Sequence, residues 1–285
     1  MGDILKKIFE TIGLLCLICF SFFYTEKIST VIKENDDIQK EIEQVKDQYK
    51  TVAIDAIINN DTIIPGVSGK TIDVKASYKK MKKINSFNDN LLVYKNTKPK
   101  ISVENIYDKY IISGNKTKKE ISLLFLVEEN DNIDKVIDIL KKNNIKATFY
   151  IDGNWFENNN EKSLELIKDG HIVGNLGYNY RYDVSGISWM NTIVTKIGNQ
   201  KSTYCYTENK NQDILNICKN NKSYTIIPNI VVKQNPLITI KKNLSNGSII
   251  SLKINDGLQS ELPLIINYIN SKDLEIVTIE KMLDE

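Results

Sequence analysis

From Lys118 onward, apolar and amphipathic segments alternate with a regularity that leaves few folds open. ISLLFLVE reads as a buried strand, IDKVIDILKKNNI as a helix stopped by asparagine, and KATFYID as a second strand. EKSLELIKDGH follows as a helix ended by Gly170, and HIVGN as a third strand. Further along, a helix is predicted near Asp213–Lys219, strands at YTIIP and GSIISLKI, a helix at LPLIINYINS and a last strand at EIVTI before EKMLDE. Strand and helix in strict succession at this spacing predict βα units around a parallel sheet, an α/β domain over 118–285.

Upstream the texture changes. The runs TVAIDAII, DTIIPGVSG, NLLVYK, PKISVE and DKYIISG are short, β-prone and punctuated by Pro65-Gly66, Gly69, Pro99 and Gly114-Asn115. One amphipathic stretch interrupts them, with Asp73 as a candidate N-cap and Val74, Tyr78 and Met81 on one face. These features predict a small α+β domain over 52–117. Before it, Ile28, Val31, Asn35, Ile38, Ile42, Val45, Tyr49 and Val52 recur at alternating spacings of three and four, one apolar seam along a helix. A helical stalk over 28–51 follows from that spacing. It either pairs with a second copy as a short coiled-coil homodimer or packs on the next domain.

The first 27 residues hold the one strongly apolar run, IFETIGLLCLICFSFFY, Ile8–Tyr24, preceded by Lys6 and Lys7. No A-x-A-like cleavage site follows in TEKISTV, so the run predicts an uncleaved, single-pass transmembrane helix, with a cleaved signal peptide as the rival. Lysines on its amino side place the N-terminus in the cytoplasm and the bulk of the chain outside the cell membrane. Cys16 and Cys19 lie within this run and read as small apolar residues. Cys205 and Cys218 fall where a disulfide is permitted, and their spacing leaves open whether they pair.

With 41% hydrophobic and 26% charged residues, the 285-residue chain can bury a core. Its formal charge of +2 is spread without a basic run, and Arg181 is its only arginine. Nucleic acid binding needs a concentrated basic face, so that class is excluded.

The order ISLLF, KATFYIDGNWF, LIKDGHIVGNLGYNY, GSIISLKI and EIVTIEKML resembles the polysaccharide deacetylase family, the NodB homology domain, across Lys118–Glu285. The KATFYIDG segment and the GH-x-x-GN turn are the most specific parts. The resemblance implies a distorted (β/α) barrel, a divalent metal such as zinc held by one Asp and two His, and hydrolysis of the amide bond in N-acetylated sugars of cell-wall glycan.

That chemistry needs ligands that fix the ion with one position open, and a base. The family's Thr-Phe-Asp-Asp-Gly strand matches Leu124–Glu128 here, so Leu126 and Val127 stand where the carboxylates would be. The two ligand histidines after the GH-x-x-GN turn match Leu176 and Tyr180, while His171 matches a turn histidine that is not a ligand. The Arg-Pro-Pro-Tyr-Gly loop falls on CYTEN, Cys205–Asn209, and the Leu-x-His strand on Ser251, Leu252 and Lys253. One histidine cannot supply two ligands and a general acid. No catalytic residue, metal ligand or cofactor is therefore assigned.

Two sets of residues could give the domain another use. Glu128, Glu129, Asp131, Asp183, Glu208 and Asp256 could converge at the sheet's carboxyl edge on a hard cation. Trp155, Tyr178, Tyr182, Trp189 and Tyr206 are candidates for stacking on sugar rings, or else they fill the space of the missing metal site. The expectation is a membrane-anchored family member without catalysis, binding envelope glycan or a partner protein. The alternatives are an active deacetylase with a rearranged carboxylate site and a structural or assembly protein of the envelope.

Overall fold

The structure, a computed structural model, describes residues 12–23, 36–128, 131–179, 181–198 and 200–285. After a helical segment at 12–23 the elements are α1 (Asp37–Lys46), β1 (Ile57–Asn59), β2 (Thr62–Ile64), β3 (Gly69–Ile72), α2 (Val74–Met81), β4 (Tyr94–Thr97) and β5 (Tyr110–Ile111). Next come β6 (Glu120–Val127), α3 (Asp134–Lys142), β7 (Thr148–Ile151), α4 (Gly153–Asn158), α5 (Asn160–Lys168), β8 (Ile172–Asn175) and α6 (Val184–Gly198). The chain continues through β9 (Thr203–Tyr206), α7 (Gln212–Asn220), β10 (Ser223–Ile226), β11 (Ile230–Val232) and α8 (Pro236–Asn243). It closes with β12 (Ile249–Lys253), α9 (Asp256–Ser271), β13 (Glu275–Val277) and α10 (Ile279–Leu283).

Two compact units form, residues 1–52 with 69–97 and residues 53–68 with 98–285. One cut falls after Val52, at the expected boundary, while the other two, after residues 68 and 97, replace the one expected at 117. Strands β1, β2 and β5 join the large sheet, whereas β3 and β4 pair with each other alongside α2. Short β-prone runs carry no record of their long-range partner, which is why one stretch of uniform texture divides between two units.

In the smaller unit Asp36 caps α1 by accepting from the Ile38 N–H at 3.0 Å, and Asp73 caps α2 through Ala76 N–H, also at 3.0 Å. Ile38 and Ile42 of α1 are buried with Ile72, Met81 and Leu92. At those two positions the expected stalk seam packs within its own chain, and α1 ends at Lys46 rather than at 51. The rest of the seam before Asn35 lies outside the described residues. Residues 12–23 are helical and exposed, and among the described residues no helix is long and apolar enough to cross a membrane. The flanks of the predicted span, residues 8–11 and Tyr24, lie outside the described residues.

The larger unit is built on one curled sheet with strand order β1-β2-β5-β10-β9-β8-β7-β6-β12-β11, and β13 also pairs with β6. Apart from the antiparallel β1–β2 hairpin its pairings are parallel. Both faces are covered, which explains why ISLLFLV is apolar at nearly every position. Alternate side chains divide between two cores. Phe125, Val127, Phe149 and Ile151 face the helices with Leu140, Leu166 and Ile265. Leu124, Leu126, Tyr150, Tyr204, Tyr206 and Tyr224 fill the concave side, with Ile279, Met282 and Leu283 of α10 among them. Each fully buried large side chain stabilises by about 1.5–3 kcal/mol relative to exposure.

Corners in this fold are turned by asparagine. Asn60, Asn85, Asn105, Asn144, Asn179 and Asn235 all have positive φ, as do Asp273 and Lys222. Cys205 of β9 and Cys218 of α7 form a disulfide with Cα atoms 6.4 Å apart, closing the question their spacing left open.

Candidate functional site

Catalysis in a sheet of this kind assembles at the carboxyl ends of the strands. In this chain that edge is occupied by apolar and phenolic side chains. Leu126 is 6% exposed in the concave core, Leu176 packs against the same cluster, and Val127 is fully buried on the opposite face among the helices. Tyr180 lies outside the described residues. Tyr150, fully buried, lays its ring over Gly174, where a Cβ would stand 2.4 Å from a ring carbon. Its hydroxyl has no hydrogen-bond partner among the described residues, and burial raises its pKa.

Tyr206 packs beside Tyr150, with ring centroids 5.4 Å apart, and shares a hydrogen bond with the Ser251 hydroxyl at 2.9 Å. Burial pushes its phenol up to about 12. The Tyr182 hydroxyl donates to the Tyr206 carbonyl at 2.7 Å, lies 2.9 Å from the Asn175 carbonyl and accepts from the Tyr206 N–H. Burial raises its pKa too. These phenols are neutral, hydrogen-bonded or desolvated packing groups.

Trp155 is 3% exposed among the helices and Tyr206 is 7% exposed in the concave core, so of the two readings the sequence left open these two fill space and do not present a face to a sugar. Their flanking loops are polar, and nothing in that local pattern separates an inward ring from an outward one. Tyr178 and Trp189 are different. They meet edge to face at 5.9 Å, Trp189 also touches Phe156 edge on at 6.3 Å, and Trp189 remains 37% exposed. The Tyr178 hydroxyl donates to Glu157 at 2.7 Å.

The carboxylates do not converge. Glu128 accepts from the Lys253 ammonium at 2.7 Å, a bond that raises the lysine's pKa. Asp131 accepts from the Glu128 N–H at 2.7 Å, and burial raises its pKa. Asp183 caps the start of α6 through the Gly186 N–H at 2.7 Å, which lowers its pKa. Glu208 lies 3.6 Å from Lys233, Asp256 sits in the first turn of α9, and Glu129 lies outside the described residues. Among the described residues, no group of three His, Cys, Asp or Glu side chains could hold a metal ion. A catalytic zinc asks for three such donors and an open position. The described residues at this edge do not fit one.

His171 stands at the other end. It precedes β8, so it lies at the sheet's amino edge, about 13 Å along the strand from the carboxyl rim at 3.3 Å per residue. Its Nδ1 accepts from the Ala147 N–H at 3.1 Å and its ring meets Phe149 edge on at 5.2 Å. Burial, aided by nearby Lys146, pushes its pKa down to about 4, so it is neutral at physiological pH.

The remaining frame of the GH-x-x-GN turn has structural duties of its own. Gly174 makes room for Tyr150. The Asn175 amide reaches Ile187 O and Asn191 Oδ1, both at 3.2 Å, and its carbonyl oxygen accepts from Gly177 N–H at 2.7 Å. Gly177 has φ +84 and a Cβ there would stand 2.2 Å from Arg181 O. The turn persists because it joins β8 to the loop and to α6, with or without a metal.

Residues 113–235 match the family model for polysaccharide deacetylase. Among curated proteins, the uncharacterized protein YlxY of Bacillus subtilis is 35% identical over 153 residues, 53% of this chain and 48% of that protein. The peptidoglycan-N-acetylmuramic acid deacetylase PdaA of the same organism is 32% identical over 75 residues, 26% of this chain and 28% of that one. The chain thus spans about half or less of the length of these relatives. Among solved structures, BA3943 of Bacillus anthracis, a CE4 family pseudoenzyme, superposes with a TM-score of 0.67 at 23% identity, covering 88% of this chain and 96% of that one. A BA3943 mutant with restored enzymatic activity superposes equally well. At that identity the likeness is one of fold. Residues 113–235 are accordingly a divergent polysaccharide deacetylase domain, and the larger unit has a NodB-type fold.

Proposed function

We propose that this chain is a membrane-anchored, extracytoplasmic protein whose deacetylase fold binds envelope glycan without hydrolysing it. The observation that carries the proposal is the carboxyl edge itself, where Leu126, Val127 and Leu176 replace donors and Tyr150 and Tyr206 fill the concave space. A hydrolase that works through a metal-activated water has no ligand set there. The exposed Trp189 against Tyr178 supports the glycan reading, because a sugar ring can stack on such a face.

Two features support the location. The Cys205–Cys218 disulfide belongs to an oxidising compartment. The apolar run Ile8–Tyr24 behind Lys6 and Lys7 has the pattern of an anchor with its amino end in the cytoplasm.

The test is metal content of the purified chain by elemental analysis, then calorimetry with Zn²⁺, Co²⁺ and Ca²⁺, alongside acetate release from N-acetylated cell-wall glycan. The expected result is no binding at one equivalent and no acetate. Tight stoichiometric binding, or sustained release that Glu128→Gln abolishes, would overturn the proposal in favour of an active hydrolase.

A further inference from the structure

On the side of the larger unit opposite the family's catalytic edge lies a cavity of about 590 Å³. It opens at the amino ends of the strands, bordered by Lys201 and Ser202 before β9, by the loop before β5, and by residues from Thr278 onward. Its size falls within the range of roughly 300–1,000 Å³ typical of small-ligand sites.

Aromatic rings form one side of it. Tyr204 and Tyr224 stack with centroids 6.1 Å apart and planes at 25°, and Tyr107 leans on Tyr224 at 4.8 Å. Tyr204 and Tyr224 are buried, while Tyr107 is half-buried at the cavity wall. The Tyr224 hydroxyl accepts from the Asn105 N–H at 3.1 Å, which fixes the ring beneath the loop.

The polar groups nearby are nearly balanced in charge. Lys98 pairs with Glu104 at 2.8 Å, and Lys281 pairs with Glu275 at 3.0 Å. The Glu285 carboxylate accepts from the Val103 N–H at 3.0 Å and is also bound by Ser102 and Gly66. Glu280 accepts from the Lys201 N–H at 3.1 Å and stands 3.5 Å from the Tyr204 hydroxyl, both through the same oxygen. Three lysines and four carboxylates line the cavity, so a phosphate gains nothing there. An aromatic face edged by carboxylate, hydroxyl and ammonium groups matches a neutral ring that is apolar on its faces and hydroxyl-rich on its rim.

We infer that this amino-edge cavity is a second glycan site, holding one neutral sugar ring against Tyr107 with its hydroxyls on Glu280 and Lys201. The inference rests on the glycan-binding reading above and adds a place that the family's catalytic geometry does not use. Leu126, Leu176, Tyr150 and Tyr206 of the carboxyl edge do not line the cavity, although Tyr204 and Tyr224 share one core with them.

The test is titration calorimetry of the full chain with a tetramer of N-acetylglucosamine, comparing the unmodified protein with Tyr107→Ala, Glu280→Gln and Trp189→Ala. Tyr107 is partly exposed and Glu280→Gln keeps size and shape, so melting temperatures verify that both variants fold. The expected result is binding that each of the two cavity variants weakens by roughly tenfold, the loss expected for one stacking face or one charge-assisted hydrogen bond. Binding unchanged in both, whether or not Trp189→Ala removes it, would overturn the cavity while leaving the glycan reading standing. No binding by the unmodified chain would overturn both.

Discussion

At the carboxyl edge of the large sheet, Leu126, Leu176 and Tyr206 close over the concave core, and Lys253 is tied to Glu128. At the amino edge of the same sheet, Tyr107, Tyr204 and Tyr224 border an open cavity with hydrogen-bonding groups at its mouth. Tyrosine serves both places, with opposite consequences. At the first edge its rings are hidden in the concave core, and at the second Tyr107 is half-buried at the cavity wall. A shared fold therefore says little about which edge of a sheet carries the work. Substitutions at the carboxyl edge should change stability, and substitutions at the amino cavity should change binding.

The largest expected effect is on the link behind the carboxyl edge. Cys205 pairs in register with Asn175 of the GH-x-x-GN turn, so its disulfide to α7 braces that edge. Replacing both cysteines with alanine should cost about 3 kcal/mol in denaturant unfolding, and a reductant should produce the same loss in the unmodified chain. No change in either would mean that the edge holds itself together by packing alone.

Next in size is a pH effect from the amino edge. The folded-state pKa of His171, about 4, lies below its ordinary 6.5. Between those values the unfolded chain takes up a proton that the folded chain refuses, so stability falls as pH drops from 6.5 to 4. The loss amounts to up to about 3 kcal/mol at the acid end. His171→Asn keeps an acceptor for the Ala147 N–H and removes the titration, so its unfolding free energy should depend less steeply on pH across that window. Equal slopes would contradict a buried neutral imidazole.

Two smaller effects probe the filled edge directly. Gly174→Ala should cost about 2 kcal/mol, because its methyl meets the fully buried Tyr150 ring, and thermal melts would register the loss. Tyr150→Phe should raise stability by about 1 kcal/mol, since it removes a buried hydroxyl without a partner. A loss on Tyr150→Phe would mean that the hydroxyl is satisfied in solution and that this edge is wetter than its packing implies.

Much of the α/β unit was legible because period-2 and period-3.6 apolar patterns survive in β6, α3, β7, α5 and β8 nearly as they read. Helix α6 was not, since VSGISWMNTIVTKIG carries β-branched residues and two glycines, and only the spacing of Ile187, Met190 and Val194 marks its buried face. Strand β11 is too short to stand out from its loops, and β9, as long as β7 and β8, has no aliphatic residue in TYCY to mark it. The hydrogen-bonded structural role of His171 was legible from the turn that holds it. That Trp155 and Tyr206 point inward was not, because strand and helix parity decides it and the boundaries were unknown. Cys218 gave one usable signal in retrospect: it shares the buried face of α7 with Leu215, which turns it toward β9.

The asparagine corners carry a consequence for engineering. Asn60, Asn85, Asn144 and Asn235 hold a left-handed backbone that glycine adopts without a Cβ penalty. None of the four lines the open cavity or belongs to the packed rings of the concave core. Exchanging them singly for glycine would trade that strain against a looser unfolded chain, and wherever the first outweighs the second the protein would gain thermal tolerance at no cost in recognition.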